Sequence, residues 1–369
     1  LTGISCQKSV DSWSVTAAFP WRRIERRLVL KNYGSAMNRT NLGDPTALDA
    51  RPPESPAPLP TVNCELSTVS LIAIDWGTTS ARAYAVDASG RIGGTRSAPL
   101  GVQQLAGGDF PRALSELLGD WQTLKVPRFA AGMIGSRQGW IEAPYVPCPA
   151  AIDALARHLV WTPARELAIV PGLISRDRGG VPDVMRGEET QLAGAVTDAD
   201  GALLAVLPGT HSKWAQVEGG RVVAFQTHMT GELYAVLLAN SILGRLAKPA
   251  TAASAPGTSF ANGVARGLAG GGLGHAVFGA RTLALTGELD AQDVPDWLSG
   301  VLIGHEIGAA RQWAGDNGVD ATRVRVIGSD VLVMRYTVAL AQAGIAADAG
   351  PSDAAVRGLI RIAERAGHL

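Results

Sequence analysis

Asp75 ends the apolar run of "LIAIDWGTTS" (71–80) and is followed by Gly77, Thr78, Thr79 and Ser80. A carboxylate in that position could hold Mg²⁺ through water, while the backbone N–H groups of Gly77, Thr78 and Thr79 cradle a phosphate. Glycine admits the close approach that a side chain would block. Taken alone, the stretch reads equally well as a plain hairpin turn. A second copy changes the balance. "LLAVLPGTHSKWAQVEGGRVVAF" (203–225) repeats the order strand, glycine turn, strand, glycine turn, strand. Gly77-Thr78-Thr79-Ser80 corresponds to Gly209-Thr210-His211-Ser212, each followed closely by a cation, Arg82 or Lys213. Two such units about one domain length apart suggest related halves that face each other. The second turn then supplies a facing clamp: the amides of Thr210 and His211 and the point charge of Lys213. No GxxxxGK[ST] leads into a helix, so neither turn is a Walker loop.

Other residues could handle an acceptor. "VMRGEETQLAGA" (184–195) places Arg186, Glu188 and Glu189 at a glycine-marked junction into a helix. An alcohol that attacks a phosphoryl group needs a carboxylate to orient it and take its proton, a task open to Glu188 or Glu189. The plain alternative is a pair of acids stabilised by a helix dipole. Arg186 has the planar fork suited to a substrate carboxylate, or to a structural ion pair. "GMIGSRQGW" (132–140) brings Arg137 and Trp140 on a glycine-rich loop that could close over a polar small molecule. "GELYAVL" (231–237) sets Glu232 at a helix start, where capping is the plain reading. In "VIGSD" (326–330), Gly328 and Ser329 would let an adenosine lie against the backbone.

These residues need a frame of short strands and helices. The pattern predicts strands over 69–75, 81–86, 128–132, 166–173, 203–207 and 323–327. It predicts helices over 109–121, 188–197, 301–313 and 330–343, a helix capped by Thr230, and a last helix capped by Ser352 that ends near Gly367. Residues 1–68 read differently. "RPPESPAPLP" (51–60) is polyproline-like linker, and "WRRIERRLVL" (21–30) is basic without the core of a secretory signal. This segment is expected to be disordered and, with Met37 shortly before the prolines, partly an over-extended reading of the gene. The expected domains are 69–198, with the first turn, and 199–369, with the second turn and the adenosine turn; the last helix could pack back on the first domain.

Bulk composition excludes several classes. The 369 residues are 46% hydrophobic and 18% charged with a formal net charge of zero, which gives no field favouring nucleic acid or an anionic membrane. Three cysteines without a CxxC pattern argue against a disulfide framework or zinc site. No run approaches the roughly 18 apolar residues of a membrane span. A soluble, cytoplasmic protein with no nucleic-acid or membrane partner is expected; a homodimer is compatible with the sequence.

Taken together and in order, "IAIDWGTTSARAY", "AGMIGSRQGW", "VMRGEETQLAGA", "LPGTHSKWAQ", "THMTGELYAVL", "SGVLIGHEI" and "AAVRGLIRIAERA" resemble the 2-dehydro-3-deoxygalactonokinases, sugar-acid kinases of the actin and hexokinase ATPase superfamily. The resemblance covers about residues 70–369. It implies an α/β fold of two ribonuclease-H-like, actin-like ATPase domains with a central cleft. It also implies ATP as phosphoryl donor, Mg²⁺ near Asp75, and a small sugar acid, 2-dehydro-3-deoxy-D-galactonate, as acceptor at its terminal hydroxyl. In related carbohydrate kinases a Gly-Asp-Gln-Gln stretch carries the base; "GEETQLAG" is similar and puts Glu188 there, with Glu189 as competitor. Two alternatives stay open. One is a kinase of another sugar acid, such as 2-dehydro-3-deoxy-D-gluconate. The other is a nucleotide switch without a sugar acceptor.

Overall fold

The computed structural model describes residues 66–105, 107–248 and 255–369. The expectation of disorder over 1–68 therefore falls almost wholly outside the described residues. A first antiparallel meander is formed by β1 (Val69–Trp76), β2 (Ala81–Asp87) and β3 (Ile92–Ala98). Helix α1 (Phe110–Leu118) follows, then β4 (Arg128–Gly132), β5 (Tyr145–Pro147), α2 (Ile152–Arg157), β6 (Val160–Trp161) and β7 (Ala168–Ile169). The sheet order is β3-β2-β1-β4-β7-β6, with β4 parallel to β1 and β7 parallel to β4. Next come β8 (Gly172–Arg176) and β9 (Pro182–Met185), which with β5 form a separate three-stranded sheet, and then α3 (Glu188–Ala195).

The second half repeats the plan. A meander of β10 (Ala202–Leu207), β11 (Ser212–Glu218) and β12 (Arg221–His228) leads into four helices: α4 (Thr230–Asn240), α5 (Thr258–Leu268), α6 (Leu273–Thr286) and α7 (Val294–Asp316). Strand β13 (Arg323–Val326), α8 (Asp330–Gln342), β14 (Ala346–Ala349) and α9 (Ala354–Arg365) complete the chain. The sheet order is β12-β11-β10-β13-β14, with β13 parallel to β10 and β14 parallel to β13. The architecture is mixed α/β. Among the described residues, no helix is long and apolar enough to cross a membrane.

Strand alternation sorts the core. Ile72, Ile74 and Trp76 of β1 pack against α1, whereas Leu71 and Ala73 face the other way. Leu204 and Val206 of β10 likewise join the helical layer of α7 and α8, while Ala205 and Leu207 turn inward. The inward residues of both strands share one buried cluster with α3 and α9. These two helices therefore form the layer between the sheets. Arg361 of α9 donates to the carbonyls of Ala193 and Val196 at the end of α3.

Several elements differ from expectation. The run predicted as one strand over 166–173 is two strands in two sheets, because Pro171 has no N–H with which to continue a ladder. Met229, not Thr230, stands at the start of α4, and the Thr230 hydroxyl donates instead to buried Glu306. Asp353 rather than Ser352 precedes α9. Helix α7 begins before the predicted 301, with Pro295 in its first turn, where its missing N–H costs nothing.

Candidate functional site

Both meanders end their central-strand turns at one cavity of about 300 Å³, lined by Asp75, Gly77, Thr78, Glu188 and residues 207–211. In the first turn the Gly77 amide donates to Ser80 O (2.9 Å), closing the hairpin. The Gly77 and Thr78 carbonyls accept from Val102 N (3.1 Å) and Gln103 N (3.0 Å). The amides of Thr78 and Thr79 donate to no described residue. Gly77 thus shapes the turn, and the donors left for an anion are fewer than the three that were expected. In the second turn the amides of Gly209, Thr210 and His211 are all unspent among the described residues, and the space where a Gly209 Cβ would stand is open. Glu232 N donates to Thr210 O (3.0 Å), so the start of α4 braces this turn from behind.

The base candidate reaches the cavity through two glycines. Gly132 ends β4 at φ 94° and Gly187 precedes α3 at φ 107°, backbone values that side chains disfavour. A Cβ on Gly187 would lie 3.2 Å from Gly132 Cα, and one on Gly132 would lie 2.7 Å from Trp76 O. This close approach sets the first turn of α3 against the ends of β4 and β1. Glu188 lines the cavity, and its Oε2 accepts from Arg186 N (3.1 Å). Burial raises its carboxyl above the usual range, while Lys213 and His211 draw it back.

Glu189 points elsewhere. It is 1% exposed, bonded to Gly187 N (2.7 Å) and Thr190 Oγ1 (2.9 Å), and borders a small apolar cavity with Leu155, Leu173 and Val217. Burial and the Glu188 charge push its carboxyl up to about 8. Because that value is raised above the ordinary 4.5, the stability that Glu189 contributes is full below about 4.5 and lost as pH rises through 8. Glu189→Gln is therefore expected to flatten the fall in thermal stability between pH 5 and pH 9, by about 5 °C at the alkaline end. Melting temperatures of the two proteins at pH 5, 7 and 9 check this; parallel curves would show that Glu189 does not carry the pH dependence.

Asp75 stands where two cavities meet. The second, of about 400 Å³, is lined by Arg82, Tyr84, Gly328, Ser329 and residues 351–356, and shares Asp75, Gln191 and Pro208 with the first. Burial raises the Asp75 carboxyl, partly offset by Arg82, its cross-strand partner. No described cation lies within ion-pair distance of Asp75, and no group of three acidic, His or Cys residues could enclose a metal among the described residues. A single carboxylate beside an anion cradle suits Mg²⁺, which keeps waters and takes phosphate oxygens, better than a metal that needs an all-protein cage. Gln191 was missed by the sequence reading. It lies one turn beyond Glu188, at the i+3 position on the same helix face, and that spacing was the available signal.

The remaining candidates are distributed differently. Arg186 borders the first cavity; its Nη2 donates to Ala143 O (2.8 Å), and its guanidinium lies 4.3 Å from the centre of the Tyr145 ring. Its Nε and Nη1 are buried without a hydrogen-bond partner among the described residues. Lys213, expected at the phosphates, is buried and bonded to Val184 O (3.1 Å) and Thr227 Oγ1 (2.8 Å). Arg137 projects into solvent beside Glu142 (3.5 Å), and Trp140 stacks on Phe110 with ring centres 6.2 Å apart; neither borders the two cavities. Glu232 holds the His211 ring through a 2.5 Å contact at the rim.

Free amides on opposite sides of one cavity suit a polyphosphate, and a carboxylate inside it suits an alcohol acceptor. The class these features define is a phosphotransferase acting on an alcohol. Comparison with known proteins agrees. A family model for 2-keto-3-deoxy-galactonokinase matches residues 75–362. A Rhizobium meliloti protein assigned as a 2-dehydro-3-deoxygalactonokinase is 37% identical over 299 residues, 80% of this chain and 96% of its own. The Escherichia coli 2-dehydro-3-deoxygalactonokinase is 34% identical over 295 residues, 80% of this chain and 97% of its own. A crystal structure from Sinorhizobium meliloti, assigned the same activity, matches with a TM-score of 0.72 and 34% identity, over 80% of this chain and 98% of that one. The chain belongs to the 2-keto-3-deoxy-galactonokinase family.

Proposed function

We propose that the protein transfers the terminal phosphoryl group of ATP to the terminal hydroxyl of 2-dehydro-3-deoxy-D-galactonate, giving the 6-phosphate and ADP in cytoplasmic galactonate catabolism. The observation that carries this reading is the single cavity in which unspent amides of both turns meet Glu188. Residues 69–198 and 199–369 act as two ribonuclease-H-like domains with the reaction in the cleft between them. The adenosine lies against Gly328 and Ser329, and the triphosphate runs past Asp75 to the amides of Thr78, Thr79, Gly209, Thr210 and His211. Mg²⁺ held by Asp75 supplies charge neutralisation at the phosphoryl oxygens.

Arg186 holds the acid end of the acceptor. Glu188 accepts the proton of the terminal hydroxyl as its oxygen attacks phosphorus, and the bond to the ADP oxygen breaks. A base whose carboxyl is raised by burial suits that proton transfer. Closure of the cleft limits ATP hydrolysis by excluding water.

A coupled ADP-release assay tests the reading, with Mg-ATP and either the galactonate-derived acid, its gluconate-derived epimer or no acceptor. ADP release that depends on the galactonate-derived acid is expected. Equal ATP consumption with and without acceptor would remove the kinase reading, and preference for the epimer would change the substrate.

A further inference from the structure

We propose that Glu306 is a positioning residue of the nucleotide site: its buried side chain holds the second phosphate turn to the helix that follows the adenosine turn. This rests on the kinase reading above. Glu306 lies in the middle of α7, and its described hydrogen-bond partners are three neutral donors on three other elements. Its Oε1 accepts from Trp214 Nε1 of β11 (2.7 Å), and its Oε2 accepts from Tyr336 OH of α8 (2.8 Å) and from Thr230 Oγ1 of α4. All four residues are buried. Neither "THMTGELYAVL" (227–237) nor "SGVLIGHEI" (299–307) lines the two cavities, yet the contact of Thr230 with Glu306 brings these stretches together.

Each donor is attached to a part of the site. Tyr336 has one hydroxyl proton and gives it to Glu306, so Ser212 Oγ donates to the Tyr336 oxygen (2.9 Å). Ser212 follows His211 directly and Trp214 stands two positions later, so both holds fall on the strand that leaves the second turn. Thr230 fixes the first residue of α4. From there Glu232 N donates to Thr210 O (3.0 Å), and a Cβ on Gly231 would lie 2.5 Å from Gly209 O. The start of α4 thus meets the turn backbone against backbone. Tyr336 belongs to α8, which begins directly after Ser329 of the adenosine turn. One carboxyl group therefore fixes the strand beyond the phosphate turn, the helix against its back and the helix beyond the adenosine turn. Apolar side chains of similar volume often fill such a space without loss of stability, because a buried carboxylate is costly to desolvate. What they do not supply is direction: a fully satisfied polar network specifies one arrangement, where apolar contacts tolerate sliding.

Glu306→Gln tests this, because it keeps the volume and exchanges one accepting oxygen for an amide group that itself donates. Two readouts follow the variant in the full chain. Without nucleotide, hydrogen exchange is expected to accelerate about tenfold at the amides of 212–216 and 230–236, while 69–87 in the first meander stays within about twofold. Calorimetric affinity for a non-hydrolysable ATP analogue with Mg²⁺ is expected to fall about tenfold and KM for ATP to rise to match, with kcat and KM for the acceptor within about threefold. Tyr336→Phe keeps the ring and removes one of the three donors; it should show the same pattern at smaller size, and is read in its place if Glu306→Gln does not fold. Exchange that rises equally in every segment, or that stays unchanged at 212–216 and 230–236, overturns the proposal. So does a lower kcat with unaltered affinity for the analogue, the mark of an ordinary core residue. Absence of acceptor-dependent turnover in the unmodified protein counts against the kinase reading alone, since neither hydrogen exchange nor nucleotide binding needs an acceptor.

Discussion

Glu188→Gln is expected to lower kcat by about 10²- to 10⁴-fold while KM for ATP stays within about threefold. The amide keeps the size of the side chain and can still accept from Arg186 N, so the turn before α3 is preserved. What it loses is the capacity to take a proton. The nucleotide cavity around Gly328 and Ser329 does not include Glu188, and the phosphate donors are backbone amides that this change leaves in place. The effect should therefore fall on the chemical step. Initial rates across ATP and acceptor concentrations measure it. Near-normal turnover would move the base away from Glu188, and Glu189 is poorly placed to replace it: it is bonded to Gly187 and Thr190 on the side away from the cavity.

Gly358→Ala is expected to destabilise the protein by about 3 kcal/mol or more and to weaken ATP binding. A Cβ at residue 358 would lie 1.8 Å from Thr190 O, and reciprocally one at Gly194 would lie 1.9 Å from Ala354 O. Both obstacles are backbone, so no side-chain rotation relieves them, and α9 must move off α3. That movement reaches the site from two directions. Thr190 belongs to the helix whose first residue is Glu188, and the first residues of α9 line the cavity beside Gly328 and Ser329. Gly308→Ala is the control. It sits exposed in α7 with nothing within 4 Å of its added methyl, and should gain up to about 1 kcal/mol from helix propensity. Urea melts and the KM for ATP distinguish the two; a Gly358→Ala protein as stable as its parent would mean that the helices can separate without cost.

What could be read from the sequence was local or repeated. The two turns were legible because glycine and hydroxyl residues at a hairpin announce themselves within a few positions, and because the second copy made coincidence a poor explanation. The residue types alone leave Glu188 and Glu189 open, and only the resemblance to related carbohydrate kinases favours Glu188. Adjacent residues on a helix point about 100° apart, and which one meets the cavity is decided by the Gly132–Gly187 approach between segments over fifty residues apart. Lys213 shows the same limit. Its motif reads as a phosphate clamp, yet Val184 and Thr227, which hold it, belong to other strands and leave no mark near position 213. Arg137 and Trp140 have the types of a substrate loop, but the packing of Trp140 on Phe110 depends on a helix that leaves no mark in the loop sequence. The single strand expected over 166–173 failed for a reason visible in the sequence, Pro171.

The most direct test is a crystal structure with Mg²⁺, a non-hydrolysable ATP analogue and the galactonate-derived acid. The expected result places the terminal phosphate between the amides of residues 78–79 and 209–211, the metal beside Asp75, and the acceptor's terminal hydroxyl within hydrogen-bond reach of Glu188. A triphosphate bound away from either turn, or an acceptor whose terminal hydroxyl faces a different group, would contradict it.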